Sequence, residues 1–182
     1  MFPLEQMMSV NLLIRDKQQV RTANIFGLIA YSDRNPYVVK VLRDHDFWNS
    51  LNARTEGWIL YAVKPESEYY QGGNADYINS CLGVKPEDYP QLIILGIGSD
   101  KVMKQSNYPI TGYSVESVYE SIERSIDTVT ATLNKIHPQY KGSTNVYREV
   151  VEALDAELAS KRWKRVSQGL KDLVMSIMKR LI

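Results

Sequence analysis

The chain has 182 residues, enough for one domain plus an appendage with a core that needs neither disulfide nor metal. With 22 Lys and Arg against 21 Asp and Glu, the near-neutral balance argues against a dedicated nucleic-acid binder. A single cysteine, Cys81, excludes an internal disulfide, a Cys-x-x-Cys redox pair and a thiolate zinc site.

The opening stretch MFPLEQMMSVNLL lacks the basic flank and long apolar centre of a signal peptide. No apolar run approaches the ~20 residues of a membrane helix. Together with the lone cysteine this predicts a soluble, cytoplasmic protein.

In chain order, Ser9 to Ile14 reads as a first strand, followed by a polar connection to Gln19. Val20 to Ser32 holds the run IFGLIAY, a buried strand. Asn35 is a good N-cap and Pro36 suits the first helical position. Val38, Val41, Leu42, His45, Trp48 and Leu51 or Asn52 then recur at helical spacing, which predicts one helix from Pro36 to about Arg54, closed by Gly57. Trp58 to Val63 is a further buried strand, and Glu66 to Gly73 a tyrosine-bearing loop. Asn74 to Leu82 is a short helix with Ala75, Ile78 and Leu82 inward, and Gly83 ends it.

The run Leu92 to Ile97, entered through Pro90 and left through glycine, is almost unbroken in its apolarity. Such a strand is buried on both faces and lies inside a sheet covered by helices. Ser99 to Ser106 reads as a polar turn, and Asn107 to Tyr113 as an edge strand, where Pro109 is tolerated. Ser114 caps a long helix whose inward face runs Val115, Val118, Tyr119, Ile122, Ile126, Val129, Leu133 and Ile136. Residues 1–137 therefore read as an α/β domain, and residues 138–182 as a C-terminal amphipathic helical extension. The alternation of strands and helices predicts a sheet flanked by helices, its first two core strands parallel.

This order resembles a thioredoxin-like domain over roughly Val20 to Ile136. The resemblance rests on the element order and on the polar loop that opens a helix after the first core strand. It rests also on Leu82-Gly83-Val84 leading into Tyr89-Pro90-Gln91 and an apolar strand. It implies a mixed central sheet and a cis proline at Pro90 facing the helix N-terminus. The family's Cys-x-x-Cys falls at Ser32-Asp33-Arg34-Asn35, where neither cysteine is present. Without a thiolate there is no attack on a disulfide, so this would be a redox-inactive member.

Ser32, Asp33, Arg34 and Asn35, backed by Tyr31, Tyr89 and Pro90, form the candidate ligand site. Free amides at a helix N-terminus favour a carboxylate, phosphate or peptide there; the competing reading is an ordinary cap, with Asp33 and Arg34 solvated. His45 between Asp44 and Asp46 falls on the apolar helical face, which reads as a packed histidine rather than an acid–base group. Cys81 beside Ile78 and Leu82 reads as a buried, inert thiol. Gly96-x-Gly98 lacks the third glycine of a dinucleotide fingerprint, and two distant histidines give no metal spacing; no cofactor or metal is implied.

In the tail, Lys161, Arg162, Lys164, Arg165, Lys171, Lys179 and Arg180 surround an apolar stripe of Trp163, Val166, Leu170, Leu173, Ile177 and Leu181. The preceding helix is acidic (Glu149, Glu152, Asp155, Glu157). Opposite charges on adjacent helices favour pairing with each other or with a second copy, ahead of packing on the core; membrane or nucleic-acid contact ranks last. The expectation is a non-catalytic module that binds a protein or peptide, with a homo-oligomer through the tail. The alternatives are an enzyme acting on a small anionic substrate at the Ser32–Asn35 and Pro90 face, or a basic tail on nucleic acid or a membrane.

Overall fold

The computed structural model describes residues 24–55, 58–64, 74–97, 103–136 and 147–156. These form a mixed α/β arrangement: β1 (Asn24–Ala30), α1 (Pro36–Arg43), α2 (His45–Ala53), β2 (Ile59–Val63), α3 (Asn74–Leu82), β3 (Gln91–Ile97), β4 (Met103–Pro109) and α4 (Val115–Ile136). A last helix, α5, covers residues 147–156. The proposed strand at Ser9 to Ile14, the loop Glu66 to Gly73 and the basic tail from Lys161 lie outside the described residues.

The four strands pair in the order β2-β1-β3-β4. β1 and β2 are parallel, as a helical connection between them requires, with Ala30 beside Val63. β1–β3 and β3–β4 are antiparallel. β3 is interior, and Leu92 to Leu95 are all fully buried. Each such side chain contributes about 1.5–3 kcal/mol through burial.

The period-two alternation sends β3 into two clusters. Leu92 and Ile94 join Ile25, Ile29, Leu60 and the helices α1, α2, α4 and α5. Ile93, Leu95 and Ile97 join Phe26, Leu28, Val63 and the α3 residues Ile78 and Leu82. Two glycines permit the close layering on the first face. A β-carbon on Gly27 would come 2.6 Å from the Trp58 ring, and one on Gly96 would come 2.7 Å from Val151. Gly96 is thus a seat for α5, which accounts for it without any nucleotide.

The helix expected from Pro36 to Arg54 is two helices. Asp44 is extended (φ −75°, ψ 122°), and its N–H bonds the Lys40 carbonyl to close α1. Its carboxylate accepts from the Asp46 and Phe47 amides and starts α2. This break resets the helical phase. Trp48 and Leu51 turn inward, and His45 is exposed rather than packed. Cys81 is also exposed: consecutive helical residues point about 100° apart, and Leu82 takes the inward direction.

The edge strand expected at Asn107 to Tyr113 begins earlier, at Met103, and ends at Pro109. Its polar residues had disguised it: an edge strand with one covered face buries only alternate positions, here Ser106 and Tyr108. Among the described residues β2 is the other edge of the sheet, and Ile59 is 48% exposed. Gly83 follows α3 in the left-handed region (φ +63°), as a terminating glycine does. α5 buries Val150, Val151 and Leu154 in the sheet's own cluster, so this part of the acidic segment packs on the core.

Candidate functional site

β1, β2 and β3 place their ends so that the candidate residues gather at one end of the sheet. The parallel β1–β2 pair brings Lys64 beside Tyr31, whose N–H bonds the Val63 carbonyl at 3.1 Å. The antiparallel register that matches Ala30 with Gln91 carries Tyr31 alongside Pro90. The Tyr89–Pro90 bond is cis. The Pro90 carbonyl accepts from the Ile110 N–H at 3.0 Å, adding the chain beyond β4 to the same end.

The loop from β1 into α1 is tightly built. Tyr31 and Ser32 are buried, while Asp33 and Arg34 are exposed. The Asn35 N–H bonds the Ser32 carbonyl, closing a turn. Asn35 Oδ1 accepts from the Tyr37 and Val38 amides, both at 3.1 Å, and the Asn35 carbonyl accepts from Val39. Pro36 has no N–H. The donors that an anion would need at this helix end are therefore already engaged. Asp33 is ion-paired with Lys64 rather than simply solvated.

Beyond the expected residues, two aromatic side chains frame this end. Among the described residues the exposed large hydrophobics are Tyr37, Ile59 and Tyr113, at 40%, 48% and 95% exposure. Tyr37 stands on the first turn of α1. Tyr113 stands in the link from β4 to α4, just before the capping Ser114, whose Oγ accepts from the Ser117 N–H at 3.2 Å. Ile59 begins β2, away from this end. Periodicity passes over Tyr113, because it belongs to neither a strand nor a helix face. The signal that could have found it is a large aromatic between a glycine and an N-cap.

The cleft that opens here runs beside α1, with a volume of about 610 Å³, lined by Asp33, Pro36, Val39, Lys40, Arg43 and Asp44. Tyr31, Tyr89 and Pro90 are not in its lining. Among the described residues no three His, Cys, Asp or Glu side chains converge as a metal site. No described helix is long and apolar enough to cross a membrane. The stripe from Trp163 to Leu181 lies outside the described residues, as does its proposed partner role.

No family model matches the chain, and neither the curated proteins nor the solved structures give a match.

Proposed function

We propose that the chain is a redox-inactive, thioredoxin-like binding module that holds a protein or peptide at the end of the sheet formed by Tyr31 to Asn35, Tyr89 and Pro90. The observation that carries this reading is the pair of exposed tyrosines, Tyr37 and Tyr113, flanking that end. Exposed aromatic side chains with a polar tip are favoured contact residues, because they give large apolar area with few rotatable bonds. The pairing order and the polar loop opening α1 support the family resemblance. Ser32 and Asn35 at the positions of the family's two thiols support the absence of redox chemistry.

The engaged amides of α1 weigh against a small-anion enzyme at the same loop, since they leave no amide at the helix start for a phosphate or carboxylate. The tail supplies self-association or partner docking in this reading, through Trp163, Val166, Leu170, Leu173, Ile177 and Leu181.

The reading is tested by placing a photo-crosslinking amino acid at position 113 and, separately, at position 135, then irradiating cells of the native host. Position 135 is about 30 Å along α4 from its first residue, Val115, at 1.5 Å per residue. A discrete adduct from position 113, weakened by Tyr37→Ala and absent from position 135, is expected. Equal labelling from both positions counts against a dedicated face.

A further inference from the structure

The link from β4 to α4, residues 110–114, is tied to its surroundings by its backbone. The Ile110 N–H bonds the Pro90 carbonyl at 3.0 Å, and Ile110 itself is buried. The Thr111 N–H donates to Ser121 Oγ at 3.1 Å, and the Tyr113 and Ser114 N–H groups both donate to Ser117 Oγ at 3.0 Å. Ser117 Oγ in turn donates to the Ser114 carbonyl at 3.1 Å. Ser117 and Ser121 are one helical turn apart, so a single face of α4 carries the hydroxyls that hold the link. Gly112 lies against the same helix: a β-carbon there would come 2.7 Å from the Val118 nitrogen, which is backbone and cannot swing away.

Tyr113 leaves this held link 95% exposed. A side chain so exposed has almost no neighbour on its own chain and cannot be the wall of a groove there; the cleft beside α1 is not lined by it. Its ring can be taken from water only by a surface that surrounds it.

We propose that Tyr113 is a preset anchor that enters a pocket on a folded partner protein, apolar at its walls and with a hydrogen-bonding group at its floor. The proposal rests on the binding reading above and narrows the partner from protein or peptide to a folded surface. Burying a tyrosine removes about 150–250 Å² from water, and its hydroxyl then needs a partner. An extended peptide laid beside a projecting ring leaves most of that area wet, whereas a concave pocket covers it, as in the central anchors of tight interfaces. The ties to Ser117 and Ser121 have already fixed the backbone that carries the ring, so little freedom is left to lose on binding.

The test places p-benzoylphenylalanine at position 113 of the full chain, irradiates cells of the native host and maps the attachment points on the adduct by mass spectrometry. Attachment in two or more segments distant in the partner's sequence is expected, as for the walls of one pocket. S117A unties the Tyr113 and Ser114 amides without touching the ring; it should lower the adduct yield about threefold or more, and S117T, which keeps the hydroxyl, should restore it. Hydrogen exchange at these two amides, followed by NMR on the chain without the crosslinker, should be slow in wild type and roughly fivefold or more faster in S117A. Circular dichroism checks that S117A keeps its helices; where it does not, the mapping and the wild-type exchange decide. Attachment to one short linear segment, a yield that S117A leaves unchanged, or fast exchange in wild type each overturns the anchor. The linear-segment outcome leaves the aromatic face standing, whereas the absence of any adduct removes both.

Discussion

Gly96 of β3 lies directly against the Tyr147 carbonyl of α5, so close that a β-carbon on Gly96 would overlap that oxygen. The obstacle is backbone, which cannot rotate away as a side-chain tip can. Gly96→Ala must therefore shift α5 or the strand. Overpacking of this kind costs about 1–3 kcal/mol, which predicts a fall in Tm of roughly 2–12 °C for a chain of this size. Thermal and urea melts of G96A against wild type measure it. Unchanged stability would mean that α5 is not seated on this face in solution.

Trp58 and Thr130 make a second tie between layers. The indole N–H donates to Thr130 Oγ1 at 3.0 Å, and that hydroxyl donates to the Arg54 carbonyl at 2.9 Å. Trp58 is buried, so its N–H has little access to water. Thr130→Val keeps the shape and removes both bonds, which should cost about 1–3 kcal/mol. Thr130→Ser restores the hydroxyl and should recover most of the loss. A valine variant as stable as wild type in urea would show that water replaces the hydroxyl without cost.

Much of this was legible beforehand because it follows from local rules. The apolar run Leu92 to Ile97 announces an interior strand, and Gly83 announces a helix end by its freedom at positive φ. Asn35 and Ser114 are caps by residue type and position. What was not legible depends on phase or on pairing. Asp44 sits inside an otherwise good helical pattern, and nothing local says that its carboxylate will cap rather than face solvent. His45 was misplaced for that reason. Cys81 was misplaced because one inward neighbour does not make a residue inward. The Asp33–Lys64 pair requires knowing that β1 and β2 are parallel neighbours, which brings together residues 31 positions apart just beyond the two strand ends.

The break at Asp44 should be sensitive to a single change. Asp44→Ala removes the acceptor for the Asp46 and Phe47 amides and should cost about 0.5–2 kcal/mol. Asp44→Asn keeps an acceptor oxygen and should cost little. If the alanine and asparagine variants have equal chemical-denaturation midpoints, the cap is not what holds the break.

Glu116, in the first turn of α4, titrates below its ordinary value of 4.5. The largest cause is the hydrogen bond from its own backbone N–H, followed by the Ser114 hydroxyl and the nearby Lys40 charge. A carboxylate whose folded pKa is depressed favours the folded state above its unfolded value, and that contribution disappears as pH falls through the folded value. Wild type should therefore lose stability relative to Glu116→Gln as pH drops from about 4.5 downward, and the two should run parallel above it. Because the group is open to solvent, the difference should be small and should shrink with added salt. Urea melts of both proteins across this pH range give the comparison. A difference that grows above pH 4.5 instead would mean that the carboxylate is destabilised in the folded state, and that Ser114 and the helix end do not hold it.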